Sequence, residues 1–594
     1  MRHWRGLNNG GRKGFGLKKY RGQAAALLCL AVVLCCFAFR KEGYHMDELL
    51  SFELSNAEYN PWIVPTQPVG RLAKFMKEEI EGDTLGETLA NLADTALDVL
   101  ENRGESKLLQ YRADVYPEPV WIEAEAFREY LTTGKGDRFN YFSVYFNVKD
   151  DNHPPLHFML LHTMSSLFPG VIVPFLGCFI NILAILGSAA LIFALGALLE
   201  EGGILPAGWG EVWGICAGLF YGLSSGGIAT ALLIRMYGVM SFFCVALFYL
   251  QMRKWIRGSF SEGNRLLAAV TVLGFLTQYF FLFYCIALFG VTAVLLILEK
   301  RYRELKAYTL TMVCAGAAGV ALFPFSVQDV LSSGRGQEAL QNLGRGFSGY
   351  GERLWAFGRI LLERCFGSPA AGLAALLLLL AAWVILGRQL EKGGAKGRVW
   401  ILLLVPAGCY FLLAARMSPY LVDRYIMPLF AFAAMAVTLL WVRLAGLLGG
   451  RPYIALLPVA VFVIFQTAGY DGEYLYQGYE KQEAVAVQYG ELPCVCVYDG
   501  AGYYENLIEF TRYERTLLTT LPQLGERQDI SGGNWPEQLV VLRKGNVEEK
   551  QMLDVFAGYG WEVREVLLEG EESVYGDTLY LCGRSVHAGV ISGD

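Results

Sequence analysis

The chain has 594 residues, of which 54% are hydrophobic and 18% charged, with a mean hydropathy of +0.35. A soluble globular chain carries nearer a quarter charged residues, so a soluble enzyme is excluded. Fifty basic and 56 acidic residues leave a net charge of −6, which argues against nucleic acid as a partner. The apolar residues fall in blocks, such as 171–199, 371–386 and 399–415, that approach or exceed the ~20 residues of a transmembrane helix. The expected fold is an all-α polytopic membrane protein.

Residues 1–22 form a basic, cytoplasmic N-terminus carrying Arg2, Arg5, Arg12, Lys13, Lys18, Lys19 and Arg21 without an acid. Residues 23–39 follow as an uncleaved transmembrane anchor, because no small-residue cleavage site ends them. The polar stretch 40–170 reads as an extracytoplasmic first loop with juxtamembrane helices. Within it, 68–110 has helical spacing of Leu and Ala. The apolar run Leu156–Phe168 is too short to span and predicts a surface-lying or re-entrant helix.

The transmembrane core is expected over 171–470, with spans at 171–199, 208–225, 236–252, 266–282, 283–299, 307–324, 371–387, 399–415, 425–446 and 453–469. With the anchor this makes about eleven. The loops then placed inside hold Arg253, Lys254, Arg257 and Arg265; Lys300, Arg301, Arg303 and Lys306; and Arg388, Lys392, Lys396 and Arg398. That distribution obeys the positive-inside rule and fits a bacterial plasma membrane.

Residues 471–594 read as a small extracytoplasmic α/β domain. Strand-like runs at Cys494–Tyr498, Leu539–Leu542, Trp561–Leu568 and Thr578–Cys582 alternate with helix-like stretches at 501–511 and 547–559. It serves either acceptor recognition or a structural cap. Most cysteines sit in apolar blocks as small hydrophobes. Cys494 and Cys496 share a strand face, which does not suit a mutual disulfide.

Ionisable residues cluster on the outer side of this topology, where charges near the bilayer are costly and tend to be functional. Asp47 and Glu48 lie just past the anchor and suit a base or a metal ligand. Asp151 and His153 precede Pro154, Pro155 and the short helix, whose His157 and His162 are five apart and share a helix face poorly. Arg235 with Tyr237, and Arg424 with Tyr425, stand at the outer mouths of two spans, where Arg suits a phosphate or reaches lipid headgroups. Outer loop 325–370 adds Arg335, Arg345, Arg353, Arg359 and Arg364 without a Lys. These suit an anionic headgroup or amphipathic packing on the membrane.

Asp47-Glu48, Asp151-Asn152-His153-Pro154-Pro155-Leu156, Arg235-Met236-Tyr237 and Arg424-Tyr425 with Pro428, in that order, resemble a membrane glycosyltransferase of the C-type superfamily. The nearest families are the dolichyl-phosphate-mannose protein mannosyltransferases and the bacterial aminoarabinose transferases of lipid A. The resemblance covers about residues 20–450. It implies a cavity at the outer membrane face and a polyprenyl-phosphate sugar as donor. The acceptor would be a protein, a lipid or a cell-envelope glycan. Asp47 would be the catalytic carboxylate with Glu48 as its acidic neighbour. Asp151, His153, Arg235, Tyr237, Arg424 and Tyr425 would bind donor, and Arg335 and Arg345 would add phosphate contacts. His157-Phe158 departs from the aromatic pair expected after Pro-Pro-Leu, and the first loop is longer than in the bacterial pattern. No cofactor is assigned; a divalent cation on Asp47, Glu48 and Asp151 is left open. The alternatives are an oligosaccharide ligase with a pyrophosphate-linked donor and a lipid or solute transporter.

Overall fold

The computed structural model describes residues 21–585 apart from 261–262, 345, 347, 391–393, 448, 450, 528 and 532–534. The basic residues before Arg21, and Arg345, lie outside the described residues. The chain is mostly helical. Among the described residues seven helices are long and apolar enough to cross a membrane: Arg21–Phe39, Pro174–Glu201, Tyr237–Arg257, Phe281–Leu298, Tyr302–Leu322, Gly397–Met417 and Asp423–Leu447. Two bent pairs, Trp209–Leu223 with Ser225–Leu232 and Tyr350–Phe366 with Pro369–Ala382, raise the number to nine if each is one span.

The expected spans 266–282 and 453–469 are helical but short. Asn264–Phe275 has 12 residues, which at 1.5 Å per residue covers about 18 Å of a ~30 Å hydrocarbon core. It stops where the amide of Leu156 takes the carbonyl of Leu276, at 2.9 Å. That hydrogen bond ties the start of the short helix Leu156–Leu167 to the break. The expected span 371–387 is preceded by an 83° bend, where Gly367 turns through a φ of +78°.

The core packs backbone to backbone where it is tightest. A Cβ on Gly196 or Gly210 would collide with the other's carbonyl, so Pro174–Glu201 and Trp209–Leu223 meet through small residues. At one end of the bundle Arg257 pairs with Glu201 at 3.2 Å. There Arg398 pairs with Glu299 and lies over Trp255, 4.6 Å from the ring centre. The opposite end of the anchor, Phe39, stacks on Phe175 at 4.2 Å. Arg257 and Arg398 thus lie at the end of the bundle away from Asp47.

The C-terminal residues build a six-stranded sheet in the order β1-β3-β2-β4-β6-β5, from Trp121–Glu123 (β1), Cys494–Val497 (β2), Arg515–Thr519 (β3), Gln538–Arg543 (β4), Trp561–Leu568 (β5) and Thr578–Arg584 (β6). β2 runs parallel to β3 and β4, and the rest pair antiparallel. The four strands read from the sequence are present. β3 and β1 were not expected. β1 comes from the first loop and caps the sheet edge, with Ile122 opposite Thr516, so loop and domain share one sheet. Cys494, Cys496 and Cys582 are buried free thiols. Ile122 is 4% exposed, so Ile122→Asp buries an unpaired charge. It should cost about 3 kcal/mol and free the first loop, read as faster first-loop cleavage in limited proteolysis.

Candidate active site

The helix Met46–Asn56 is set by its own first turn. His45 stands at its N-cap, and its Nδ1 accepts the Asp47 amide at 3.0 Å, while the His45 amide donates to Glu48 Oε2 at 2.7 Å. Two acids in this turn also suit the positive end of the helix dipole. The two carboxylates then diverge. Asp47 turns to the mouth of the bundle and forms an ion pair with Arg424.

Glu48 turns inward and is fully buried. Its Oε2 lies 3.0 Å from Lys41 Nζ and its Oε1 accepts the Ile234 amide at 2.7 Å. Both oxygens are occupied, and Glu48 anchors the turn. The same inward turn dissolves the candidate cation set. Among the described residues no group of three or more His, Cys, Asp or Glu side chains converges to hold a metal, so Asp47, Glu48 and Asp151 do not fit one.

Arg235 is buried and holds this turn from beneath, its Nη1 donating to the Asp47 carbonyl at 3.0 Å and to Ser51 Oγ at 2.7 Å. Burial alone would push the Asp47 carboxyl up. The guanidiniums of Arg235 and Arg424 outweigh it and bring Asp47 down to about 2. Burial likewise lowers His45, in keeping with a neutral ring that accepts at Nδ1. Tyr237 packs edge-on against Tyr425 at 6.3 Å, and Arg424 covers the Tyr425 ring at 5.6 Å.

Asp151 and His153 form a pair at 2.9 Å. Burial raises Asp151, but His153 and Arg235 together bring it below its ordinary value. Next to it stands a carboxylate that sequence reasoning missed. Asp329 is buried and accepts the Tyr279 hydroxyl at 2.6 Å. Burial, reinforced by the charges of Asp151 and Asp150, pushes it up to about 7. A lone acid in the apolar turn Phe325–Leu331, just after Pro324, was the available signal. His157 is fully buried, and burial pushes it down to about 3, so its ring is neutral.

The arginine-rich outer loop divides into two kinds. Arg335 donates to the Tyr420 hydroxyl at 2.9 Å, pairs with Glu338 at 3.0 Å and brings its charge near Tyr425. Arg353 instead binds the Ala415 carbonyl at 2.8 Å and Ser418. Arg364 pairs with Asp423 at 3.0 Å, Asp471 at 3.1 Å and Glu473. The last two arginines hold structure together.

A strap from 470 to 478 ties the site to the C-terminal sheet. Tyr474 and Tyr476 adopt φ of +65° and +53°, a strained backbone for side-chain-bearing residues. Tyr474 uses its carbonyl to accept Lys41 Nζ at 2.7 Å and its hydroxyl to donate to Asp423 Oδ1 at 2.7 Å. The Tyr575 hydroxyl donates to the Tyr44 carbonyl at 2.6 Å. The domain therefore grips the residues beside both Asp47 and Arg424, a contact not visible in the sequence.

No family model and no curated protein matches this chain. Among solved structures it is similar to the crystal structure of ArnT from Cupriavidus metallidurans in the apo state. The two are 13% identical over 72% of this chain and 87% of that one, with a TM-score of 0.33.

Two measurements check this geometry. Lys41→Met should cost about 3–5 kcal/mol by leaving Glu48 charged and unpaired; the double change with Glu48→Gln should recover part of it in thermal unfolding. Because Asp47 is held below its ordinary value, the stability it contributes is present above about pH 4 and lost as the pH falls toward 2. Wild type should therefore lose more thermal stability than Asp47→Asn across that window.

Proposed function

We propose that the chain is a membrane glycosyltransferase moving a sugar from a polyprenyl-phosphate donor to an acceptor hydroxyl, with inversion, at the outer face of the plasma membrane. The observation that carries this reading is the Asp47–Arg424 ion pair at the mouth of the bundle, framed by Arg235 and the Asp151–His153 pair. Arg257 and Arg398 at the opposite end support an outward-facing site. The acceptor is a protein, a lipid or a cell-envelope glycan.

The donor's lipid tail lies among apolar spans, and its phosphate takes the Arg424 guanidinium, with Arg335 and Tyr425 beside it. Tyr237, Asp151 and His153 shape the sugar pocket. Asp47, released from Arg424, accepts the proton of the acceptor hydroxyl. The acceptor oxygen bonds to the anomeric carbon as the carbon–oxygen bond to phosphate breaks, and the electron pair leaves with polyprenyl phosphate. Arg424 stabilises that departing charge. Attack opposite the phosphate inverts the anomeric carbon. Arg335 favours a second reading, a pyrophosphate-linked donor whose extra phosphate it would meet; donor competition separates the two.

The test offers radiolabelled polyprenyl-phosphate sugars to the purified full chain and two variants. Asp47→Asn should lower kcat by about 10²–10⁴-fold with insertion and folding intact. Arg424→Lys should raise KM, since a point charge replaces a bidentate fork. Near-normal turnover of Asp47→Asn would overturn the assignment.

A further inference from the structure

The first loop lines a half-open cavity of about 310 Å³ that the chemistry above does not use, at the small end of ligand pockets. Tyr59, Trp62 and Phe146 supply aromatic walls, and Gln67, Arg71 and Asp150 stand among them. Tyr59 is held at a φ of +52°, with its amide donating to Ser143 Oγ at 2.9 Å. Strain kept at a pocket wall marks a conformation that the surrounding packing enforces. Among the described residues neither the Gln67 side-chain amide nor the Arg71 guanidinium has a hydrogen-bond or ion-pair partner, so both are available to a ligand.

We infer that this cavity is an acceptor subsite for the pyranose rings of a glycan, an inference that rests on the glycosyltransferase reading. Flat aromatic faces match the C–H faces of a pyranose, while a planar amide and a guanidinium match its ring hydroxyls, beside the Asp150 carboxylate that Lys149 pairs. The other acceptor classes fit less well. None of the cavity's residues belongs to a candidate membrane span among the described residues, so its walls are those of the first loop. The backbone groups beside the cavity are already hydrogen-bonded, which closes strand addition to a peptide. Gln67 N donates to Val64 O at 2.9 Å, and the amides of Tyr116 and Val120 take the carbonyls of Thr66 and Pro65. The cavity is also well placed, because Asp150 on its wall is followed directly by Asp151, paired to His153.

Saturation-transfer NMR on the full chain in detergent tests this without requiring turnover. The probes are methyl hexosides and hexose tetrasaccharides, with a serine-containing peptide and a lysophospholipid as competitors for the assignment. Wild type should transfer saturation to saccharide ring protons. Trp62→Ala and Gln67→Ala should each bind about tenfold more weakly, while hydrolysis of the lipid-linked donor by water stays unchanged. No saccharide signal in wild type, equal signals in both variants, or stronger transfer to the peptide or lysophospholipid would overturn the subsite. Should Trp62→Ala lose its monodisperse elution profile, Gln67→Ala alone decides. Absence of donor hydrolysis in wild type would count against the glycosyltransferase reading, and the binding result would still stand by itself.

Discussion

Five charged side chains packed around one helical turn govern this structure. Lys41, Glu48 and Arg235 are almost wholly withdrawn from solvent, and Asp47 and Arg424 partly so. A buried charge without a partner costs several kcal/mol, so each must be met by an opposite charge or by hydrogen bonds. Glu48 is met by Lys41 and two backbone amides, Arg235 by a backbone carbonyl and Ser51, and Asp47 by Arg424. The partners come from the end of the anchor, the segment before Tyr237 and the entry to Asp423–Leu447. Satisfying these charges therefore fixes three distant parts of the chain relative to one another.

The C-terminal domain enters the same arrangement. Lys41 completes its shell with the Tyr474 carbonyl, and Tyr474 in turn binds Asp423 beside Arg424. The strap carrying Tyr474 has an unfavourable backbone, and such strain persists only where its surroundings over-determine it. Here Arg364 provides that constraint by binding Asp423 and both acids of the strap. Together with β1 from the first loop, this makes the domain part of the frame of the site.

The sequence was most informative where physics acts over short range. Apolar length and basic loops marked the helical core, and two prolines marked the start of Leu156–Leu167. Alternating patterns marked four strands. Asp47 and Arg424 were singled out because charges at a span mouth are costly, and they are brought together across 377 positions of chain. What escaped depends on long-range partners. Adjacent Asp47 and Glu48 look equivalent in sequence, and only the placement of Lys41 and Ile234 separates them. β1 is three residues long and becomes a strand only by pairing with β3. The break after Phe275 carries no proline; it exists because Leu156 captures the Leu276 carbonyl. Asp329 looked like an ordinary loop acid until Tyr279 and Asp151 were placed beside it.

The pairing of Asp47 with Arg424 has a consequence for the order of events in the proposed reaction. A carboxylate near pKa 2 is a poor proton acceptor. A donor phosphate that draws Arg424 away removes one of the main influences holding Asp47 down. Without Arg424 the Asp47 carboxyl rises toward its ordinary range and becomes a stronger base. One cation thus acts as the counter-ion of the base before the donor arrives and as the counter-ion of the leaving group afterwards. Arg235, bound to the helix backbone and Ser51, is the second guanidinium that favours the ionised form of Asp47. Base strength then appears only when there is a phosphate to leave.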